Sequence, residues 1–348
     1  MSALDGYLGR EIEAGSFPGA SALVGTESEV LAEAVGGHAA TDPGRDAATD
    51  ATLWDLASLT KPLGTAALFL AAGRAVSLDA SPGLYLPEWK KTRFDGITLE
   101  RLLTHTSGLA AWYPLYARGE GAKAYRATIA ALEPEAAPGA RVIYSDLNFL
   151  VLGDILEQVL GAPLDAAFRD LVARPAGSAA RFLPESAAAC AATERGDRFE
   201  RAMTEARGLT YARFRTGVVR GEVHDGNALR RGGVAGHAGL FATARDVWAL
   251  ARAWLDPGLA GARGDRTPGL AEARGLGWQG RRGAGSAIAA MSPRSFGHTG
   301  FTGGSVWVDP DAGLVSVLLT NRIHPEVREI PFNEVRQRFH AAVYAAFA

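Results

Sequence analysis

The chain has 348 residues, of which 47% are hydrophobic and 21% charged, a composition typical of a folded protein with one or two domains. Its 36 basic and 38 acidic residues give a net charge of −2, so no overall electrostatic field favours nucleic acid or an anionic membrane as a partner. The single cysteine, Cys190, excludes an intrachain disulfide and the cysteine-rich zinc sites.

The N-terminal part of the chain predicts a helix, a hairpin and a second, longer helix. Apolar residues at helical spacing predict the first helix over residues 4–14. Two short apolar segments predict strands at residues 20–24 and 29–35, followed by a loop over residues 36–51. The next apolar segment predicts a helix over residues 58–72.

The same region carries no targeting signal that we recognise. Acidic residues interrupt residues 1–20, which therefore lack the pattern of a signal peptide. The longest apolar run in the first half of the chain, residues 66–72, is far shorter than the roughly 20 residues that cross a bilayer. We expect a cytoplasmic protein without a membrane span.

The rest of the chain predicts helices in the middle and strands near the C-terminus. Residues 176–222 have no clear period and are expected to form a loop with short elements. Helices are predicted at residues 99–103, 122–132, 147–160, 246–255 and from 333 onwards, and strands at residues 304–308 and 314–321.

These elements predict an α/β (α+β) fold with two lobes. The N- and C-terminal strands are expected to pair in one antiparallel sheet flanked by helices. Residues 1–62 and 230–348 would form this sheet domain, and residues 63–229 a mostly helical domain. An active-site cleft would lie between the two domains.

The clearest chemical motif is Ser-x-x-Lys, formed by Ser58 and Lys61 at the start of the long helix. A spacing of three residues places both side chains on one face of a helical turn. Serine becomes a nucleophile when a base removes its proton. Burial at the positive end of a helix is expected to lower the pKa of a lysine, so that its neutral amine can serve as this base. The alternative is a capped helix with a surface lysine. The chain has only four lysines among its 36 basic residues, which favours the catalytic interpretation: Lys61, Lys90, Lys91 and Lys123.

Two further segments carry candidate residues. Tyr144 stands before the predicted helix that Asp146 would cap, and its phenol is suited to acid–base work beside Lys61; the alternative is a packed tyrosine next to a helix cap. His298 begins a glycine-rich stretch that precedes the strand at 304–308. Glycines at this density let a backbone approach a ligand closely, although they also suit a plain strand entry.

Taken together, these segments resemble the serine β-lactamase and penicillin-binding-protein superfamily, in particular its class C-like esterase and peptidase branch. Four motifs occur in the order of that superfamily: residues 58–61, 102–109 (Leu-Leu-Thr-His-Thr-Ser-Gly-Leu), 144–146 (Tyr-Ser-Asp, similar to Tyr-x-Asn) and 298–300 (His-Thr-Gly, similar to Lys-Thr-Gly). Two further stretches, Val-His-Asp at 223–225 and Gly-Gly-Val-Ala-Gly-His-Ala-Gly-Leu-Phe at 232–241, are similar to segments of the same branch.

The resemblance implies a role for each matched residue. Ser58 would be the nucleophile, Lys61 its base or proton reservoir, and Tyr144 the partner base and acid. The N–H groups of Ser58 and Phe301 would form the oxyanion hole. Substrate would be bound by Asp146, His298, Thr299 and Gly300.

Two departures from the superfamily pattern affect the expected substrate. Asp146 replaces asparagine, and a carboxylate there would favour the charged form of Lys61. His298 replaces lysine and removes a fixed positive charge that would attract a substrate carboxylate. Both departures argue against a strict penicillinase and leave acyl transfer intact.

The sequence therefore predicts a serine hydrolase that forms an acyl-enzyme on Ser58 and needs no metal or organic cofactor. Its expected substrate is a small-molecule ester or amide, with a carboxylesterase favoured over a D-amino-acid peptidase or a weak β-lactamase. A binding module without activity is the alternative of another class. His224 and His237 do not form a metal-binding motif and are expected to be buried, hydrogen-bonded residues.

Overall fold

A computed structural model describes residues 2–348; Met1, the first residue of the predicted sheet domain, lies outside the described residues. The strands are β1 (Gly19–Gly25), β2 (Val30–Ala40), β3 (Asp46–Ala47), β4 (Trp54–Asp55), β5 (Ala192–Arg195), β6 (Val218–Arg220), β7 (Phe241–Ala242), β8 (Gln279–Gly280), β9 (Phe296–Thr299), β10 (Ser305–Asp309) and β11 (Leu314–Thr320). Seven of them form one antiparallel sheet in the order β3-β2-β1-β11-β10-β9-β8.

The sheet joins the two ends of the chain, because β1 pairs with β11. Ala20 lies opposite Thr320, and Val24 lies opposite Ser316. The prediction of one antiparallel sheet from N- and C-terminal strands is confirmed. The predicted loop over residues 36–51 is wrong at its start, since β2 continues to Ala40 with Gly36 and Gly37 paired against β1.

Helices cover both faces of the sheet and make up much of the middle of the chain. They are α1 (Ala3–Glu13), α2 (Ala67–Ala72), α3 (Leu99–Leu103), α4 (Gly121–Ala131), α5 (Asp146–Leu160), α6 (Leu164–Phe168), α7 (Arg174–Ala176), α8 (Arg198–Ala206), α9 (Gly226–Leu229), α10 (Ala244–Arg252), α11 (Ala260–Arg263) and α12 (Phe332–Phe347). Helices α1 and α12 pack together on one face, and α10 packs on the other.

Alternating side chains of the central strands supply two apolar cores. Ala22 and Val24 of β1 face α1 and α12, whereas Leu23 faces the opposite side. The core on that side continues without a break into the helical part of the chain, where it includes Phe149 and Leu152 of α5. The division into a sheet domain and a helical domain stays a prediction.

The segment that carries the Ser-x-x-Lys motif is not one regular helix. A 3-10 turn spans Ala57–Leu59, a π-helix spans Lys61–Ala66, and only then does α2 begin. The predicted helix over residues 58–72 is therefore wrong in its first half. Pro62 has no N–H for the helical ladder, and π-helical turns of this kind occur often at functional sites.

No single helix among residues 2–348 is long and apolar enough to cross a membrane. The pair Asp146–Leu160 and Leu164–Ala176 would reach that length and composition together, but the two helices meet at an angle of 78°.

Candidate active site

Ser58 and Lys61 face each other at the base of a cleft. The Lys61 Nζ donates a hydrogen bond of 2.8 Å to the Ser58 Oγ and a second, of 3.3 Å, to the carbonyl oxygen of His237. The lysine is fully buried, while Ser58 is partly exposed. The buried amine thus lies within hydrogen-bonding distance of a hydroxyl that is open to the cleft.

The charge of Lys61 is set by a carboxylate. Asp146 Oδ1 lies 2.6 Å from Lys61 Nζ. Burial alone would lower the pKa of Lys61, but the Asp146 carboxylate and the neighbouring Tyr144 outweigh burial and raise the pKa above its usual value. The prediction that the pKa of Lys61 is lowered is therefore wrong. The pKa is raised because the Asp146 carboxylate favours the charged lysine, as the sequence led us to expect.

Tyr144 lies over the lysine at the entrance to α5. The Lys61 Nζ is 4.9 Å from the centroid of the Tyr144 ring. Ser145, and not Asp146 as predicted, is the N-cap of α5, because the Ser145 Oγ accepts the N–H of Asn148. Asp146 is the first residue of the helix, which leaves its carboxylate available to Lys61.

The stretch at residues 102–109 supports this tyrosine. His105 Nδ1 accepts the N–H of Ser145 at 3.0 Å, and the His105 ring lies 4.6 Å from the ring of Tyr144. The His105 carbonyl also accepts the N–H of Ile143 at 2.8 Å. Burial and the charges of Arg274 and Lys61 hold the pKa of His105 well below its usual range, so this histidine is a neutral support.

Residues 299–301, which follow His298, form one wall of the cleft. Thr299, Gly300 and Phe301 line the cleft together with Ser58. A Cβ on Gly300 would lie 2.7 Å from the carbonyl oxygen of Leu56, so glycine is required for this strand end to approach the nucleophile turn. Within residues 2–348, the N–H of Phe301 has no hydrogen-bond acceptor, which leaves it available to a ligand.

His298 lies beneath this wall rather than in the cleft. It is 3% exposed, and its Nδ1 is 2.8 Å from the carbonyl oxygen of Thr299. Its ring lies 5.7 Å from the ring of Tyr144. Burial and the charge of Lys61 hold the pKa of His298 well below its usual range, so this residue is uncharged at neutral pH.

The cleft has a volume of about 350 Å³ and walls of distinct character. Trp112, Phe199, Met203 and Phe301 provide apolar surface. The Val-His-Asp and Gly-His-Ala segments provide polar surface that the sequence did not assign to the site: His224, Asp225 and His237. Contacts between residues far apart in the chain create this surface, so no local pattern predicts it.

Both histidines of this polar surface are buried and paired, as expected. His224 Nε2 lies 3.0 Å from Glu194 Oε2, and His237 Nε2 lies 2.8 Å from Asp225 Oδ1. Burial raises the pKa of Asp225, but His237 outweighs burial and brings that pKa down to about 2. Burial and the Asp225 charge raise the pKa of nearby Glu200 to about 8. Burial and neighbouring charges thus shift the pKa values of these two carboxyl groups in opposite directions.

Comparisons with known proteins agree with this fold. A protein of Escherichia coli (strain K12) named "Putative D-alanyl-D-alanine carboxypeptidase" is 28% identical over 386 residues, covering 94% of this chain and 84% of the relative. The structure of EstCE1, "a hydrolase with promiscuous acyltransferase activity", superposes with a TM-score of 0.74 at 22% identity, covering 98% of this chain and 97% of that one. A class C beta-lactamase superposes with a TM-score of 0.72 at 18% identity, covering 97% and 95%. The family model described as Beta-lactamase matches residues 4–337, and the chain therefore belongs to the beta-lactamase family of hydrolases.

Proposed function

We propose that this hydrolase forms an acyl-enzyme on Ser58 and acts as a carboxylesterase on small esters. The observation that carries the proposal is the 2.8 Å hydrogen bond between Lys61 Nζ and Ser58 Oγ at the base of an open cleft. A hydroxyl paired with a buried amine is one arrangement in which a neighbouring base activates a serine nucleophile.

The proposed reaction moves one proton between three side chains. Lys61 in its neutral form accepts the proton of Ser58 as the serine oxygen attacks the ester carbonyl. The N–H groups of Ser58 and Phe301 stabilise the oxyanion that forms. Tyr144 relays the proton to the leaving oxygen, and water then releases the acyl group by the same steps in reverse.

Two features support an ester with an apolar acyl group. The uncharged His298 stands where the superfamily commonly has a lysine, so this position offers no fixed charge to an anionic substrate. Trp112, Phe199 and Phe301 line the cleft with aromatic surface. The structural neighbour EstCE1, a hydrolase with promiscuous acyltransferase activity, agrees with such a substrate.

One observation favours a D-amino-acid peptidase or weak β-lactamase as the second candidate. Arg322 and Arg336 both line the cleft, and neither forms an ion pair within residues 2–348. Arg336 is only 7% exposed, and burial lowers its pKa to about 9. A buried cation without an anionic partner is costly, and a substrate carboxylate would pair with it.

A substrate panel separates the two candidates. We expect kcat/KM for p-nitrophenyl esters to exceed the values for nitrocefin and for D-alanyl amides. Higher kcat/KM for nitrocefin or for D-alanyl amides would favour the second candidate instead, and Arg322→Gln, but not the surface control Arg328→Gln, would then reduce kcat/KM for the carboxylate-bearing nitrocefin. Labelling by a fluorophosphonate that Ser58→Ala abolishes tests the nucleophile common to both.

A further inference from the structure

The two N–H groups proposed for the oxyanion hole come from separate parts of the chain. Ser58 lies in the 3-10 turn that follows β4, and Phe301 lies in the loop between β9 and β10. An oxyanion hole works when both donors lie about 2.7–3.1 Å from one oxygen atom. Some feature of the fold must therefore fix the spacing of these two segments.

Asp55, the last residue of β4, makes hydrogen bonds to both segments. Its Oδ1 accepts the N–H of Ala57, the residue before Ser58, at 2.8 Å. Its carbonyl oxygen accepts the hydroxyl of Thr302, the residue after Phe301, at 2.7 Å. Asp55 is 4% exposed, so these bonds are shielded from water.

The second carboxylate oxygen of Asp55 reaches the residue that packs behind Phe301. Asp55 Oδ2 accepts the N–H of His224 at 2.8 Å. The His224 ring stacks on the Phe301 ring with centroids 5.7 Å apart and an angle of 21° between the planes. Both carboxylate oxygens and the carbonyl oxygen of Asp55 thus accept hydrogen bonds from residues that adjoin or pack against Ser58 and Phe301.

The turn that Asp55 holds is strained. Ala57 has φ +46°, a left-handed conformation that residues with a Cβ rarely adopt. Such strain persists where surrounding contacts impose it, and it concentrates at functional sites. The bond from the Ala57 N–H to the Asp55 carboxylate is a direct contact that imposes this conformation next to Ser58.

We propose that Asp55 is a positioning residue that fixes the spacing of the oxyanion donors of Ser58 and Phe301. The proposal rests on the proposed acyl-enzyme function. Asp55 touches no reacting atom, and its effect reaches the substrate only through Ala57, Thr302 and His224. It gives Asp55, through its carboxylate and its backbone carbonyl, a role in the rate of the reaction rather than only in the stability of the fold.

The test replaces Asp55 by asparagine, whose amide nitrogen cannot accept one of the two backbone N–H groups. We expect kcat to fall by about 10- to 100-fold with KM almost unchanged, since loss of one oxyanion donor outright costs about 10²- to 10³-fold. The affinity for a trifluoromethyl ketone, which forms a tetrahedral adduct on serine, should fall by the same factor.

Asp309→Asn is the matched control. Asp309 is 2% exposed, ends a strand and accepts the backbone N–H groups of Ser292 and Asp311, remote from the cleft. This variant should lower thermal stability and keep kcat. The proposal is overturned if Asp55→Asn loses no more kcat than Asp309→Asn, or if it loses affinity for substrate and for the ketone equally.

Two further variants keep the proposal testable. Ala57→Gly in the Asp55→Asn background should recover at least about fivefold of the lost kcat, because glycine adopts φ +46° without steric cost; a double variant no faster than Asp55→Asn overturns the proposal. If Asp55→Asn does not fold, Thr302→Val removes the hydroxyl bond alone and should lower kcat several-fold, and parental kcat overturns the proposal. Fluorophosphonate labelling of the parent at Ser58 separates failure of this inference from failure of the proposed function.

Discussion

Replacement of Asp146 by asparagine should change the pH dependence of the reaction. Two unit charges 2.6 Å apart interact by roughly 6 kcal/mol at an effective dielectric constant of about 20. Part of this energy offsets the burial of the lysine, and the remainder holds the pKa of Lys61 above its usual value. Loss of the carboxylate should therefore lower the pKa of Lys61 and bring its neutral form to lower pH.

The measurement is kcat/KM for a p-nitrophenyl ester from about pH 5 to about pH 10. The acidic limb of the profile should move to lower pH in Asp146→Asn, because loss of the carboxylate lowers the pKa of Lys61. Asp170→Asn, which changes an exposed aspartate on the surface, should leave the limb in place. An active, folded Asp146→Asn enzyme with the parental profile, or with a limb moved to higher pH, would refute the reasoning.

Three other changes test separate parts of the account. Ser58→Ala should reduce turnover of every substrate by about 10³-fold or more, measured as kcat/KM on esters and amides, since no other group replaces the hydroxyl. Lys61→Arg should be nearly as inactive as Lys61→Ala in the same assay, because arginine keeps its proton. Gly236→Ala should lower the free energy of unfolding in urea by about 2 to 4 kcal/mol, since a Cβ there would lie 2.1 Å from the carbonyl oxygen of Phe149.

Each of these changes has an outcome that contradicts it. Near-parental turnover by Ser58→Ala would show that Ser58 is not the nucleophile. Substantial activity of Lys61→Arg would show that the lysine acts as a charge rather than as a base. Gly261→Ala is the control for Gly236→Ala, because a Cβ added at Gly261 would meet no atom within 4 Å. Equal stability changes for Gly236→Ala and Gly261→Ala would show that the close contact is not costly.

Much of the fold is readable in the sequence because its elements follow local rules. Strand β11 is a continuous apolar segment, and α5 is an apolar helix that ends at Gly161 in the left-handed conformation. The Ser-x-x-Lys spacing likewise brings Ser58 and Lys61 together within one turn of the chain. Local pattern is enough for these features.

Other features depend on contacts that no local pattern encodes. The carbonyl oxygen of His237 accepts a hydrogen bond from Lys61, which lies 176 residues away in the sequence. The Asp55 carboxylate accepts one from His224, which lies 169 residues away. Helix α8 lies in residues 176–222, where the sequence predicts a loop with short elements and does not locate the helix, although Phe199 and Met203 stand four residues apart and both reach the cleft. The spacing of these two residues is the signal that could have found the helix.

The sequence predicts the two opposing effects on the pKa of Lys61, but not which of them is larger. The sequence shows that aspartate replaces asparagine at position 146, but burial and the carboxylate act in opposite directions on the lysine. Their balance depends on the 2.6 Å separation, which follows from Ser145, rather than Asp146, capping α5.

The central claim is a covalent acyl-enzyme on Ser58, and mass spectrometry of the intact protein during turnover tests it most directly. A p-nitrophenyl ester mixed with excess enzyme and quenched rapidly should add the mass of one acyl group, and peptide mapping should place that group on Ser58. Ser58→Ala should show no adduct. An acyl group on another residue, or ester turnover by Ser58→Ala at the parental rate, would contradict the account.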